Sequence, residues 1–332
     1  MNTLLTQLKI RKGEWISGEA LSREMGISRT AVWKQIRGLK ARGYAIEAST
    51  RKGYRFLTAP DLLLSEEIRT GLETRVFGRG DIVCLPEADS TNNRAKALAE
   101  AGAPEGALVL AEAQSGGRGR RGRNWFSPAG SGIYMSLILR PEIPPAEAAR
   151  ITLMSSVAVA EAVAAVARLD VKIKWPNDVL AGAKKIAGIL TEISTEMDSV
   201  NYVVVGIGIN VGHRPADFPP DIRSSAGSIF SETGRAVSRT ELIRSVITLF
   251  ERRYFELKTR GFQNIRKRWC GLSGVLGRSV VVESPGGRIR GTAESIDGDG
   301  SLLVRNRSGV LKRLFSGDVS IEEGRPGEGG KK

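Results

Sequence analysis

Apolar residues at Val32, Ile36 and Leu39 recur with the i, i+4, i+7 spacing of one helical face, and Arg29, Thr30, Trp33, Lys34 and Arg37 fall on the other side. Ser28 stands where it can cap this helix, which runs to about Arg42. Ser17 can cap a shorter one carrying Leu21 and Met25, with Gly26-Ile27 turning the chain between them. The pattern predicts a helix-turn-helix. From Tyr44 to Phe56 apolar and polar residues then alternate on both sides of an Arg51-Lys52-Gly53 turn, as in a β-hairpin. The hairpin would be the wing of a winged helix. Such folds also mediate protein contacts, so the pattern alone does not choose a partner.

Thr58-Ala-Pro-Asp61 reads as a linker, and a helix is expected from Leu62 to about Arg75. The middle of the chain alternates strand and helix. Strands are expected over 81–86, 107–113, 133–140, 171–174, 185–195 and 202–211, and helices over 91–101 and 146–168. The second of these helices is apolar nearly all round and therefore deeply buried. This order gives an α/β or α+β domain with a mixed sheet. Helices over 239–257 and 261–269 close it. From Ser273 to about Glu322, short alternating runs separated by Pro-Gly-Gly, Asp-Gly-Asp-Gly and Arg-Ser-Gly turns predict a small β-barrel. The last residues, 323–332, have too little apolar surface to fold and are expected to be disordered. The resulting division is 1–58, 62–270, 271–322 and the tail.

Charge sharpens this outline. The chain has 332 residues and a net charge of +14, and its first 60 residues hold 12 basic and 4 acidic side chains, a net of +8. Over half of the excess charge therefore sits beside the recognition helix and wing, which favours DNA phosphates as the partner, with Arg51 and Lys52 joining the five polar-face residues of the helix. Two cysteines, Cys84 and Cys270, and one histidine, His213, argue against a disulfide framework, a zinc site or a serine triad. The N-terminus lacks the pattern of a secretory signal and no run of about 18 apolar residues occurs, so a cytoplasmic protein without a membrane partner is expected.

The most distinctive segment is Gln114-Ser-Gly-Gly-Arg-Gly-Arg-Arg-Gly-Arg-Asn-Trp125, with four arginines, four glycines and no acid. Glycines let backbone N–H groups approach an anion, and guanidinium forks match carboxylate or phosphate. A solvated basic loop or a nucleic-acid contact would have the same composition. Four further blocks accompany it: Asp89-Ser-Thr-Asn92, Val171-Lys-Ile-Lys-Trp-Pro-Asn-Asp-Val179, Lys185-Ile-Ala-Gly-Ile-Leu-Thr-Glu192 and Val203-Val-Val-Gly-Ile-Gly-Ile-Asn-Val211. In this order and spacing the five resemble the biotin–protein ligase family, and the N-terminal helices resemble its bifunctional form, ligase and biotin operon repressor in one chain.

The resemblance implies an α+β multidomain protein: winged helix-turn-helix, a mixed-sheet ligase domain like that of class II synthetases, and an SH3-like barrel. It implies that biotin and ATP, with Mg²⁺, form biotinyl-5′-AMP, that biotin passes to a lysine of a biotin carboxyl carrier protein, and that no prosthetic group is tightly held. A ligand-promoted homodimer would bind operator DNA. By the resemblance Lys185 corresponds to the lysine beside the reacting carboxylate and α-phosphate, and Arg118, Gly119 and Arg120 to the loop residues that wrap the biotinyl-adenylate, with Lys185, Arg118 and Arg120 the candidate catalytic residues. Ser90, Thr91, Asn92, Gln114, Gly117, Gly119, Gly188, Gly206 and Gly208 join them around biotin. Arg121, Trp125, Asn177, Asp178 and Asn210 join Arg120 and Lys185 around ATP, with Asp178 also the candidate for Mg²⁺. Two other readings stay open: a biotin-sensing transcription factor with weak or no ligase activity, and a ligase for lipoate or a similar acid.

Overall fold

Ser17 and Ser28 accept hydrogen bonds from the N–H groups of Ala20 and Ala31, and each starts the helix expected of it. The computed structural model describes residues 3–196 and 199–322; the tail 323–332 expected to be disordered lies outside the described residues. The chain divides into two compact units between Leu62 and Leu63.

The first unit holds α1 (Leu4–Ile10), β1 (Trp15–Ile16), α2 (Gly18–Met25), α3 (Arg29–Ala41), β2 (Ala45–Ser49) and β3 (Gly53–Thr58). Its sheet has the order β1-β3-β2. Val32, Ile36 and Leu39 of α3 are buried with Leu21 of α2 and Leu4, Leu5 and Leu8 of α1. The sequence pattern missed α1, whose seven residues are too short for a clear period; Thr3 caps it and its three leucines bury it. In the wing, Gly53 has φ +94° and a Cβ there would run into the Ile16 carbonyl, so only glycine fits the turn.

In the second unit, α4 (Ser65–Arg69), β4 (Ile82–Ala88), α5 (Thr91–Glu100), β5 (Leu108–Gln114), β6 (Gly132–Leu139), α6 (Ala148–Ala167), β7 (Lys172–Lys174), β8 (Asp178–Ala181), β9 (Lys184–Glu196) and β10 (Ser199–Asn210) are followed by α7 (Ile229–Thr233), α8 (Arg239–Arg260) and α9 (Gln263–Leu272). The seven-stranded sheet has the order β4-β5-β6-β10-β9-β8-β7. Only β4 and β5 pair in parallel, so the sheet is mixed, as expected. Five further strands, β11 (Ser279–Ser284), β12 (Gly287–Ile296), β13 (Leu302–Asn306), β14 (Leu311–Leu314) and β15 (Asp318–Ile321), form an antiparallel sheet in the order β14-β13-β12-β11-β15.

Two expectations change. The helix foreseen from Leu62 to Arg75 shrinks to α4, because the chain leaves the helix at Thr70 and turns at Gly71, φ +81°; beyond it the N–H groups of Arg75, Val76 and Phe77 are taken by the buried Glu251 carboxylate. Strand β8 was missed because its four residues follow the Trp175-Pro176 turn too closely to show alternation.

Residues of the central sheet alternate between two environments. Ile133, Met135, Leu137 and Leu139 of β6, with Val203, Val205, Ile207 and Ile209 of β10, enter the main core under α6 and α8. On the opposite face, Ile138, Tyr202 and Val204 pack against Ala95 and Ala99 of α5. The 145–167 helical stretch is long and apolar enough to cross a membrane, but Leu153, Met154, Val157, Val159 and Val163 are buried in this core. Trp175, 1% exposed, donates through Nε1 to the Gly300 carbonyl and ties the β7–β8 turn to the C-terminal sheet. Its truncation to alanine should cost about 3–5 kcal/mol.

Candidate active site

The face of the sheet that carries α5 opens beyond it into a cavity of about 790 Å³. Its floor follows from strand register. Tyr134, Gly208, Gly188 and Asp178 form one row across β6, β10, β9 and β8, and Ser136, Gly206 and Leu190 form the next. The two glycines of β10 are needed for a reason the sequence could not supply. A Cβ on Gly206 would strike the Asn92 amide, and one on Gly208 the Trp125 indole, so they make room for site side chains as well as for a ligand.

Part of the cavity lining is a cluster of short polar groups. Ser90, Thr91 and Asn92, at the start of α5, are 2–4% exposed. Thr91 donates from its backbone N–H and hydroxyl to Gln114 Oε1, at 2.8 and 3.2 Å, and Gln114 Nε2 donates to Ser127 Oγ at 2.9 Å. Ser136 Oγ lies 2.6 Å from Asn92 Oδ1 and 2.8 Å from Thr91 Oγ1. Ser90 occupies the cap position of α5 but makes no capping hydrogen bond. Among the described residues its hydroxyl has no protein partner, although it lines the cavity.

The arginine–glycine loop borders the same cavity. Gly119 N–H donates to the Arg123 carbonyl and Trp125 N–H to that of Gly117, which closes the segment on itself. Arg118 reaches Asn93 Oδ1 at 2.6 Å and the Glu192 carboxylate at 3.1 Å. Arg120 is half-buried and donates to Asn177 Oδ1 at 3.2 Å; burial pulls its pKa below the ordinary arginine value, with Asp318 and Asp178 opposing the shift. Arg121, held at φ +56°, and Arg123 both bind Asp318 Oδ2, at 3.1 and 2.6 Å. Trp125 lies with its ring 5.2 Å from Lys185 Nζ.

Lys185 lines the cavity, whereas its neighbour Lys184 turns away to the Ser224 carbonyl. Lys185 Nζ is 2.7 Å from Asp178 Oδ1, and Lys174 Nζ is 3.7 Å from Asp178 Oδ2. The carboxylate proposed from sequence for Mg²⁺ thus faces two ammonium groups. No group of three or more His, Cys, Asp or Glu side chains that could hold a metal occurs among the described residues. This donor set does not make a resident Mg²⁺ site. Asn177 and Asn210 spend their amide donors on the Ile189 and Gly227 carbonyls, and Asn177 Oδ1 accepts from Arg120.

Of the ligand residues expected from sequence, the cavity gathers Ser90, Thr91, Asn92, Gln114, Arg118, Gly119, Arg120, Trp125, Asn177, Asp178, Lys185, Gly188, Gly206, Gly208 and Asn210. Gly117 and Arg121 stand outside its lining. Gly117 is packed against Ser127 and Trp125, and Arg121 points to Asp318 and the Glu283 carbonyl. Sequence reasoning missed Lys174, Tyr134, Phe126, Phe218, Arg278 and Asp318, which arrive from separated segments. Of these, only Lys174 lay inside a quoted block, where alternation could have flagged it. Behind Phe126 and Phe218, His213 is fully buried and stacks on Phe218 with centroids 5.1 Å apart; burial lowers its pKa to about 4.

The first unit presents a different surface. Arg29, Thr30, Trp33, Lys34 and Arg37 of α3 are exposed, with the Arg37 guanidinium 5.5 Å from the Trp33 ring. Arg51 and Lys52 are exposed in the wing turn, and Lys52 lies 5.8 Å from the Trp15 ring.

Residues 85–210 match the biotin/lipoate A/B protein ligase family, residues 1–55 an HTH domain and residues 275–321 the biotin protein ligase C-terminal domain. The bifunctional ligase/repressor BirA of Bacillus subtilis is 41% identical over 308 residues, 93% of this chain and 94% of that protein. The protein of the same name from Escherichia coli is 31% identical over 323 residues, 94% of each chain. The structure of biotin protein ligase from Aquifex aeolicus in complex with biotin and ATP superposes with a TM-score of 0.64 at 30% identity, covering 73% of this chain and 99% of that one. The chain belongs to the biotin–protein ligase family, and to the bifunctional ligase/repressors within it.

Proposed function

We propose that this chain joins biotin to ATP as biotinyl-5′-AMP, passes the biotinyl group to a lysine of a biotin carboxyl carrier protein, and represses transcription through its first unit. The observation that carries the reading is one cavity lined both by a cluster of short polar groups and by cationic side chains. The polar cluster supplies the hydroxyls and amides that a buried ureido ring needs, since each of its two N–H groups and its carbonyl must be paired. Ser90, Thr91, Asn92 and Gln114 take that part, with Gly188, Gly206 and Gly208 giving the floor.

The carboxylate of biotin attacks the α-phosphorus of ATP, a P–O bond forms and pyrophosphate leaves. Two anions must meet, so Lys185, Arg118 and Arg120 offset their repulsion and stabilise charge on the phosphorus oxygens. Mg²⁺ enters with the triphosphate as part of the substrate. Asp178 positions Lys185 and Lys174; Asn177, Asn210 and Trp125 complete the nucleotide side, and Arg121 with Arg123 anchors the loop on Asp318. In the second step the lysine amine attacks the acyl carbon and AMP departs. The loop with Gly117 and Gly119 covers the mixed anhydride and excludes water.

In this reading residues 1–58 bind operator phosphates and bases through Arg29, Thr30, Trp33, Lys34, Arg37, Arg51 and Lys52. Residues 62–270 catalyse and 271–322 close the site. Formation of the adenylate promotes a homodimer that places two winged helices on one operator, and the protein works in the cytoplasm. Pyrophosphate release is measured with biotin, lipoate and octanoate side by side. Release with biotin supports the ligase; release with lipoate or octanoate alone moves the specificity, and binding of biotin without any release leaves a sensor. Sedimentation with and without biotin plus ATP tests the dimer.

A further inference from the structure

Glu192 closes the Lys185–Glu192 block but has no part in the reaction described above. Its carboxylate is a junction. Oε2 accepts from Asn92 Nδ2 at 2.7 Å, Oε1 from Lys96 Nζ at 2.5 Å, and Arg118 of the loop lies 3.1 Å away. Burial alone would raise its pKa, but the hydrogen bonds from Lys96 and Asn92 and the charge of Arg118 outweigh it, and the carboxyl sits below the ordinary glutamate value.

An asparagine amide can present either end with almost the same shape, so its neighbours decide which group faces a ligand. Glu192 and the Leu190 carbonyl both accept from Asn92 Nδ2, which leaves Asn92 Oδ1 facing Ser136 Oγ at 2.6 Å. From Ser136 the contacts run on to Thr91 Oγ1, to Gln114 Oε1, from Gln114 Nε2 to Ser127 Oγ, and to the Trp125 carbonyl. The network thus leaves the loop at Arg118, crosses the polar pocket and rejoins the loop at Trp125. We propose that Glu192 is a positioning residue that fixes the donor and acceptor pattern of the ring pocket and couples that pocket to the arginine–glycine loop.

The inference rests on the reading of the polar pocket as the biotin ring site. In Glu192→Gln the shape is kept, but the new amide must leave Asn92, Lys96 or Arg118 without its acceptor. Turning the Asn92 amide over is the smallest remedy, and it reverses the pattern handed to Ser136 and Thr91.

The test measures dissociation constants for biotin and for ATP by calorimetry on the full-length protein, each without the other ligand. For Glu192→Gln, biotin binding should weaken about tenfold and ATP binding by less than twofold, the size of one lost buried hydrogen bond. Ser136→Ala frees the other end of Asn92 and should weaken biotin to a similar degree. Because both act through one amide, the double variant should be little worse than either single one. If Glu192→Gln does not give a cooperative melt, Ser136→Ala carries the same test. Biotin affinity within twofold of the parent in either folded variant, equal losses for both ligands, or fully additive effects would overturn the proposal. A parent protein that binds no biotin instead overturns the ligase reading itself.

Discussion

The chain concentrates basic side chains in two regions, α3 with the wing turn at Arg51 and Lys52 and the 114–125 loop, and holds their charge in opposite ways. Helix α3 has no acidic residue, and the Arg29 and Lys34 side chains form no ion pair among the described residues. In the loop every arginine is already engaged: Arg118 by Glu192, Arg120 by Asn177, and Arg121 and Arg123 by Asp318. A long polyanion is met by charges left free, because release of its counterions supplies the binding energy. A small anion in a cavity is met by cations with internal partners, and these keep the loop folded at the cost of an exchange when the ligand arrives. The same residue type thus serves reach in one region and geometry in the other.

The sharpest break between the regions is a charge removed from the cavity alone. Lys185→Met keeps the unbranched apolar stem of the side chain but takes away the ammonium 2.7 Å from Asp178. Adenylate formation should fall by about 10²–10³-fold, the usual cost of one electrostatic donor at a reacting centre. Operator binding in the absence of biotin and ATP should stay as it was. Pyrophosphate release within tenfold of the parent would show that the loop arginines are sufficient without it.

Acid separates the regions next. The only histidine, His213, lies in the second unit, with its pKa lowered by burial to about 4, Asp217 opposing. The unfolded chain takes up its proton near 6.5, before the folded one does. Stability from this group is therefore complete above about pH 6.5 and is lost as pH falls to about 4, by up to ~3 kcal/mol. The first unit has no such term. Urea unfolding at pH 7 and 4.5 should show the loss, and His213→Phe, which suits the cluster with Phe126 and Phe218, should flatten it. An equal pH dependence in both proteins would place the acid sensitivity elsewhere.

How far these differences were legible in the sequence depended on whether the signal was local. The 3.6-residue spacing of Val32, Ile36 and Leu39, the caps Ser17 and Ser28 and the turn at Gly53 are local, and α3 and the wing were found. The blocks around Ser90, Arg118, Asp178, Lys185 and Gly206 carried the likeness to a family, and the fold brings them to one cavity. What could not be read was pairing across the chain. Asp318 meets the loop from nearly two hundred residues away, and nothing near either end marks the other. Glu251 takes three backbone donors of the segment after α4 from a similar distance. The task of Gly206, leaving room for Asn92, appears only once β10 is laid beside α5.

Within the loop, Arg120→Gly removes the half-buried guanidinium that bridges to Asn177. Retention of the adenylate should weaken by about ten- to thirtyfold, read as its rate of appearance in solution after a stopped reaction. The effect should be smaller than that of Lys185→Met because Arg118 and Arg123 still line the cavity. Unchanged release would mean that the loop does not hold the intermediate.

The smallest effect belongs to the exposed surface. Lys34→Ala on α3 removes one free charge without breaking a hydrogen bond or an ion pair among the described residues. If it contacts a phosphate, operator affinity drops only several-fold at moderate salt. The slope of log K against log salt becomes shallower by about one, equally for operator and unrelated DNA. If it reads a base instead, the slope stays and the loss is confined to the operator. Binding measured on both DNAs at several salt concentrations separates the two. An unchanged slope and affinity on both would remove Lys34 from the interface. Pyrophosphate release should be identical to that of the parent in every case, because the surface that leaves its charges free has none of them in the cavity.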